Sequence, residues 1–207
     1  LTDPEETGAV TLCLPQDTQA EAFDYPESFL KKKVWHLDRH SLNQRALKEA
    51  VKILISAQKP LIVAGGGVHY SQAAETLRCF AETFGIPVSE TQAGKSAMSW
   101  KDPMSVGAVG VTGTSAANLL AKAADVVLVV GSRLQDFTTA SKHVFDSDVK
   151  LLHLNVNKFD GLKMDSIMLD ADAKSGLESL KNELIKEDYQ TSTEYRGRVA
   201  KLQKEWN

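Results

Sequence analysis

The sequence predicts an α/β fold: a doubly wound, Rossmann-like parallel sheet with helices on both faces. Three observations carry that prediction. Short runs that are apolar at every position, such as 60–64 and 125–130, recur along the chain, and strands of that kind are buried on both faces of a parallel sheet. Between them lie segments whose apolar residues fall at helical spacing. Connections long enough for a helix then make right-handed βαβ crossovers, which wind a sheet outward in both directions.

In chain order, Val10-Thr11-Leu12-Cys13-Leu14 is apolar, β-prone and closed by Pro15, which reads as a buried strand. Residues 16–35 are polar and aromatic with Pro26 in their middle, the texture of an extended crossing. Ser41 is placed to cap a helix whose inward stripe is Leu42, Ala46, Leu47, Ala50, Val51, Leu54 and Ile55. Pro60-Leu61-Ile62-Val63-Ala64 is a strand that runs into Gly65-Gly66-Gly67. A helix from Ser71 to Phe84, with Ala74, Leu77, Phe80, Ala81 and Phe84 inward, stops at Gly85, and Ile86-Pro87-Val88 is a second strand. The helix Thr114 to Ala124 precedes the strongest strand, Asp125 to Val130, ended by Gly131. Leu151 to Leu154 and Ile167 to Leu169 read as two more strands, with a helix from Lys174 to Lys186 after them. From Glu194 the tail places Tyr195, Val199, Leu202 and Trp206 on one helical stripe, expected to pack on a partner domain outside this chain or, alternatively, on its own sheet.

The 207 residues are 43% hydrophobic and 25% charged with a net charge of −3, which excludes a disordered, collagenous or disulfide-dense chain. Near-neutrality gives no reason to expect nucleic acid or a membrane as partner, and no apolar run approaches the roughly 18 residues of a membrane helix. Cys13 and Cys79 are expected to be reduced and mostly buried, as in a cytoplasmic protein. The chain opens at Leu1 and has no methionine before Met98, so it is expected to be processed or cut from something longer.

Ligands of a doubly wound sheet collect where strands end and helices begin. Gly65-Gly66-Gly67 sits at such an end, but Tyr70 stands where the dinucleotide fingerprint needs its third glycine. The triplet is either a flexible turn or a place where backbone approaches a ligand. Gly94-Lys95-Ser96 resembles the end of a phosphate loop, yet Ser89 replaces the opening glycine and Trp100, Asp102 and Pro103 leave no room for the following helix. Lys95 is then either a ligand contact or a solvated lysine. Gly107, Gly110 and Gly113 precede a helix start whose amides and dipole suit an anion. Arg133, just after the strongest strand, is placed to grip a phosphate or carboxylate, or to pair with Asp136. His153 reads as a core histidine with both nitrogens satisfied, and His36, His40, His69 and His143 show no metal-ligand spacing. No catalytic residue and no metal ligand is expected in this chain.

As an ordered set, Lys59 to Gly67, Gly85 to Val88, Gly94 to Ser96, Gly110 to Thr114 and Ala124 to Arg133 resemble the central domain of thiamine-diphosphate enzymes, over roughly Ser41 to Lys186. The resemblance implies three domains: a pyrimidine-binding domain, this central domain and a diphosphate-binding domain. Residues 1–38 would then be the end of the first domain plus a linker, 39–188 the central domain, and 189–207 a linker helix toward the third. It also implies thiamine diphosphate and Mg²⁺ bound by the flanking domains, through a glutamate in the first and a Gly-Asp-Gly…Asn motif in the third. Neither is found here, and Glu21 does not match that glutamate. The chain alone is expected to be inactive.

Two longer stretches, Leu14 to Pro26 and Ser132 to Thr139, are similar to a branch of the family that opens a cyclic polyhydroxy diketone by hydrolysing a C–C bond in myo-inositol catabolism. The alternatives are an acetolactate-synthase-like or oxo-acid decarboxylase branch, or a stand-alone nucleotide-binding module. Some relatives hold FAD or ADP in this domain; the matching positions are Gly65, Gly66, Gly67, Gly110, Gly113, Gly131 and Arg133. Asn155 stands where nucleotide-binding members tend to have an aspartate, so the cleft is expected to be vestigial, without FAD. Active sites of the family form between subunits, which implies a homodimer or homotetramer of the full-length enzyme.

Overall fold

The computed structural model describes residues 1–206, and Asn207, the end of the predicted tail segment, lies outside them. The chain divides into two compact units, Leu1–Arg39 and His40–Asn207.

The first unit is exposed along its whole length and holds two short helices, α1 (Gln16–Ala20) and α2 (Glu27–Leu30). Phe23, Tyr25 and Phe29 stack in sequence with ring centroids 5.5 Å apart at each step. Residues 16–35, expected to be an extended crossing rather than helical, hold both of these helices, and Val10 to Leu14 is not the buried strand that its composition predicts. An apolar run becomes a strand only where another strand takes its backbone groups, and none among the described residues does. Cys13, in that run, is exposed rather than buried.

The second unit carries six strands: β1 (Pro60–Ala64), β2 (Val88–Glu90), β3 (Ser105–Ala108), β4 (Val126–Val130), β5 (Lys150–Asn155) and β6 (Ile167–Asp170). They form one sheet in the order β3-β2-β1-β4-β5-β6, parallel throughout. This is the doubly wound order in which winding reverses between the first and fourth strands. All residues of β1 and β4 are buried, as continuous apolar runs require. Alternate side chains divide between two cores: Ile62, Ala64, Leu128 and Leu152 on one face, Leu61, Val63, Val127 and Leu151 on the other.

The first face is covered by α3 (Gln44–Ser56), α5 (Ala74–Phe84) and α9 (Ala173–Lys186). The cap of α3 is Asn43, whose side chain accepts from the Ala46 amide at 2.9 Å, not Ser41; Ile55 falls at the margin of the buried stripe and is exposed. The helix predicted from Ser71 to Phe84 starts only at Ala74, as α5, after a turn that follows a separate short α4 (Gly67–Tyr70). Gly85 ends α5 in the left-handed region, φ 68°, which a glycine adopts without steric cost.

The second face is covered by α6 (Ser115–Ala123), by the loop around the short α7 (Asp136–Thr139), and by the last helix; a further short α8 (Lys158–Gly161) leads toward β6. That last helix, α10 (Thr193–Trp206), carries the tail stripe, and it takes the second of the two alternatives, docking on its own sheet. Tyr195 and Val199 are buried in the second core, and the Tyr195 hydroxyl donates to the Pro60 carbonyl at 2.8 Å. Burying Tyr195 and Val199 against α6 and the sheet removes that part of the stripe from water, while Trp206 at its end is 42% exposed.

Candidate functional site

The carboxyl ends of β1 and β4, where winding reverses, are where this architecture binds ligands. Here the two strand-end loops meet as bare backbone. The Gly65 amide donates to the Val130 carbonyl at 2.8 Å and the Gly67 amide to the Gly131 carbonyl at 2.9 Å. A Cβ on Gly65 would lie 2.3 Å from the Gly131 carbonyl oxygen, and one on Gly67 2.6 Å from the Gly131 Cα. Gly131, at φ +59°, donates to the Leu154 carbonyl of β5 at 2.8 Å. Gly66 is looser, its absent Cβ 3.2 Å from that of Ala93. Gly94, which the sequence offered as the end of a phosphate loop, belongs here too: a Cβ on it would come within 2.1 Å of the Ala64 carbonyl oxygen. The glycines at this crevice therefore admit neighbouring backbone.

The second glycine set behaves alike. Gly110 is clasped by Asn118, whose Oδ1 accepts from the Gly110 amide and whose Nδ2 donates to the Gly110 carbonyl, both at 2.9 Å. The Gly113 amide donates to the Gly110 carbonyl, the Thr114 amide to Ala108, and the Ala117 amide to the Thr114 hydroxyl that caps α6. These three amides, of the kind an anion uses at a helix start, are engaged within the protein. Asn118 was invisible as a site residue because an asparagine inside a helical segment carries no distinguishing signal.

One carbonyl ties the crevice to β5. The Ser132 carbonyl accepts from His153 Nε2 at 2.6 Å and from Asn155 Nδ2 at 3.0 Å, while Asn155 Oδ1 accepts from the Asn157 amide at 3.0 Å. Asn155 thus has both ends of its amide engaged within the protein. His153 is buried with only one nitrogen satisfied; its Nδ1 has no partner, which corrects the expectation of two. Arg133 is exposed and forms no ion pair with Asp136, and Lys95 is likewise exposed. The residues after Ser96 turn without forming a helix, as Trp100, Asp102 and Pro103 foretell.

Burial holds the His153 ring below its usual 6.5, against a smaller opposing pull from the Ser132 carbonyl. A base with a lowered folded value binds fewer protons in the native than in the unfolded state. Its contribution to stability is full above the unfolded value and is lost as pH falls through and below it. Denaturant midpoints taken between about pH 7.5 and about pH 5 should decline with acidification, and His153→Gln, which keeps a donor but does not titrate there, should flatten the decline.

Among the described residues, no three His, Cys, Asp or Glu side chains stand close enough to hold a metal ion. No helix among them is long and apolar enough to cross a membrane.

The family model described as thiamine pyrophosphate enzyme, central domain, matches residues 47–180. Proteins named 3D-(3,5/4)-trihydroxycyclohexane-1,2-dione hydrolase align over all 207 residues: 47% identity with that of Clostridium tetani, 46% with those of Bacillus cereus and Geobacillus thermodenitrificans. The chain spans 32% of the length of each of these relatives.

Proposed function

Because the chain belongs to the thiamine pyrophosphate enzyme family, whose central domain it matches, we propose that it is the central scaffold of a trihydroxycyclohexanedione hydrolase. The whole enzyme would open the cyclic diketone to 5-deoxyglucuronate by hydrolysing a C–C bond. The observation that carries this reading is identity of 46–47% sustained from end to end with relatives of that name. The exposed first unit, 1–38 in the family's domain order, would be the end of the pyrimidine-binding domain and its linker. Residues 39–188 would be the central domain, and the closing segment would lead toward the diphosphate-binding domain. Thiamine diphosphate and Mg²⁺ would be held by those flanking domains in a cytoplasmic homodimer or homotetramer, and this chain alone would be inactive.

On this reading the crevice formed by Gly65, Gly66, Gly67, Gly110, Gly113, Gly131 and Arg133 is a closed relic of a nucleotide site. The engaged amides of five of its six glycines and the doubly bonded Asn155 support that reading.

The test is turnover by the full-length protein with thiamine diphosphate and Mg²⁺, offered the dione or pyruvate. Ring-opened acid from the dione and no acetolactate from pyruvate is the expected result. Turnover of pyruvate alone would place the enzyme in the acetolactate-synthase-like branch instead. The purified full-length protein should also be colourless, whereas a stoichiometric yellow flavin would overturn the closed-crevice reading.

A further inference from the structure

On the first face of the sheet, α5 and α9 pack side by side through Leu77, Phe80, Leu177 and Leu180. At the edge of that seam, Lys181 Nζ of α9 donates to Cys79 Sγ of α5 at 2.8 Å, with both residues half-buried. Lys181 forms no ion pair, although Glu178 lies on the same helix three residues before it. Cys79 is the only cysteine of its unit, so no second thiol there can capture it. The side-chain partner that the structure places on this sulfur is an amine, the group positioned to capture the sulfur once it is oxidised.

We propose that Cys79 and Lys181 form a modification site at which a hydroperoxide closes a covalent sulfenamide, an S–N bond tying α5 to α9. In the first step the Sγ electron pair attacks the peroxide O–O bond: the thiol becomes a sulfenic acid, sulfur is oxidised by two electrons, and the peroxide leaves as water or an alcohol. In the second step Nζ gives up a proton to solvent and its lone pair attacks Sγ. The S–O bond breaks, and the hydroxyl leaves as water with a second proton from nitrogen. Sulfur keeps its oxidation state in this step, so no further oxidant is needed. Two equivalents of a thiol reductant return the free thiol and amine and form one disulfide of the reductant. The amine is already in contact with sulfur before oxidation, so closure needs only side-chain adjustment and competes with over-oxidation to the sulfinic acid.

The test treats the whole chain with hydrogen peroxide, then digests it with trypsin for mass spectrometry. The peptides holding Cys79 and Lys181 should appear joined, lighter than their sum by two hydrogens, with cleavage after Lys181 lost. Alkylation of Cys79 by iodoacetamide should fall about tenfold and recover after dithiothreitol. In Lys181→Met the joined peptide should vanish and Cys79 should advance to sulfinic acid. If Cys79 of the unaltered chain instead ends as sulfinic acid, or as a disulfide with Cys13, while trypsin still cleaves after Lys181, the proposal is overturned.

Discussion

Gly131→Ala should cost on the order of 3–5 kcal/mol, a loss that would leave a domain of ordinary stability barely folded. Its Cβ would lie 2.5 Å from the Gly67 Cα and 2.9 Å from the Gly67 nitrogen and carbonyl carbon. All three are backbone atoms, and the Gly67 amide is bonded to Gly131 itself, so neither loop can retreat without losing that bond. The left-handed φ of +59° adds a conformational penalty for any residue with a Cβ. Gly66→Ala, whose new methyl would meet Ala93 at ordinary or slightly tight distances, 3.2 Å from its Cβ and 3.4 Å from its carbonyl oxygen, should cost about 1 kcal/mol or less. Denaturant midpoints of the two variants give the comparison. Near-equal values would mean that the strand-end loops do not meet as backbone.

Phe80→Ala should destabilise by about 3–5 kcal/mol through lost burial and the cavity left behind. Phe80 is fully buried, and its ring sits edge-on to Phe84 with centroids 4.9 Å apart; Phe84 in turn lies 5.9 Å from Tyr189. Phe80 is among the largest side chains under that face, and the surrounding strand and helix backbones are held by their own hydrogen bonds, so collapse onto the void is limited. Thermal unfolding should show the midpoint displaced downward by more than for an exposed substitution such as Phe159→Ala, since Phe159 is 80% exposed. Equal shifts would contradict the packing described.

The central strands were legible because continuous apolar runs admit few other readings: 60–64 falls where the sequence puts it, and the run read as 125–130 pairs from Val126. β3 escaped notice. Ser105–Ala108 is an edge strand with a single large apolar residue, Val106, and an internal glycine, so it carries neither alternation nor a continuous run. The reverse error occurred at 10–14, where composition marked a strand and pairing decided otherwise. The tail stripe was legible as amphipathic but not as docked, because periodicity reports that a face must be covered and not by what. At the crevice the glycine positions were readable and their use was not. Whether a glycine admits a phosphate or another peptide depends on partners such as Gly131 for Gly65, sixty-odd residues apart in sequence. The His153 and Asn155 grip on the Ser132 carbonyl likewise arises from three residues brought together only by parallel pairing of β4 with β5.

The most direct test of the claim that this chain is scaffold rather than catalyst is calorimetric titration with thiamine diphosphate and Mg²⁺. The 207-residue chain and the full-length protein should be run side by side. Saturable binding by the full-length protein and no heat beyond dilution from this chain is the expected result. Tight stoichiometric binding by this chain alone would contradict the account, because it would place the cofactor site within the scaffold itself.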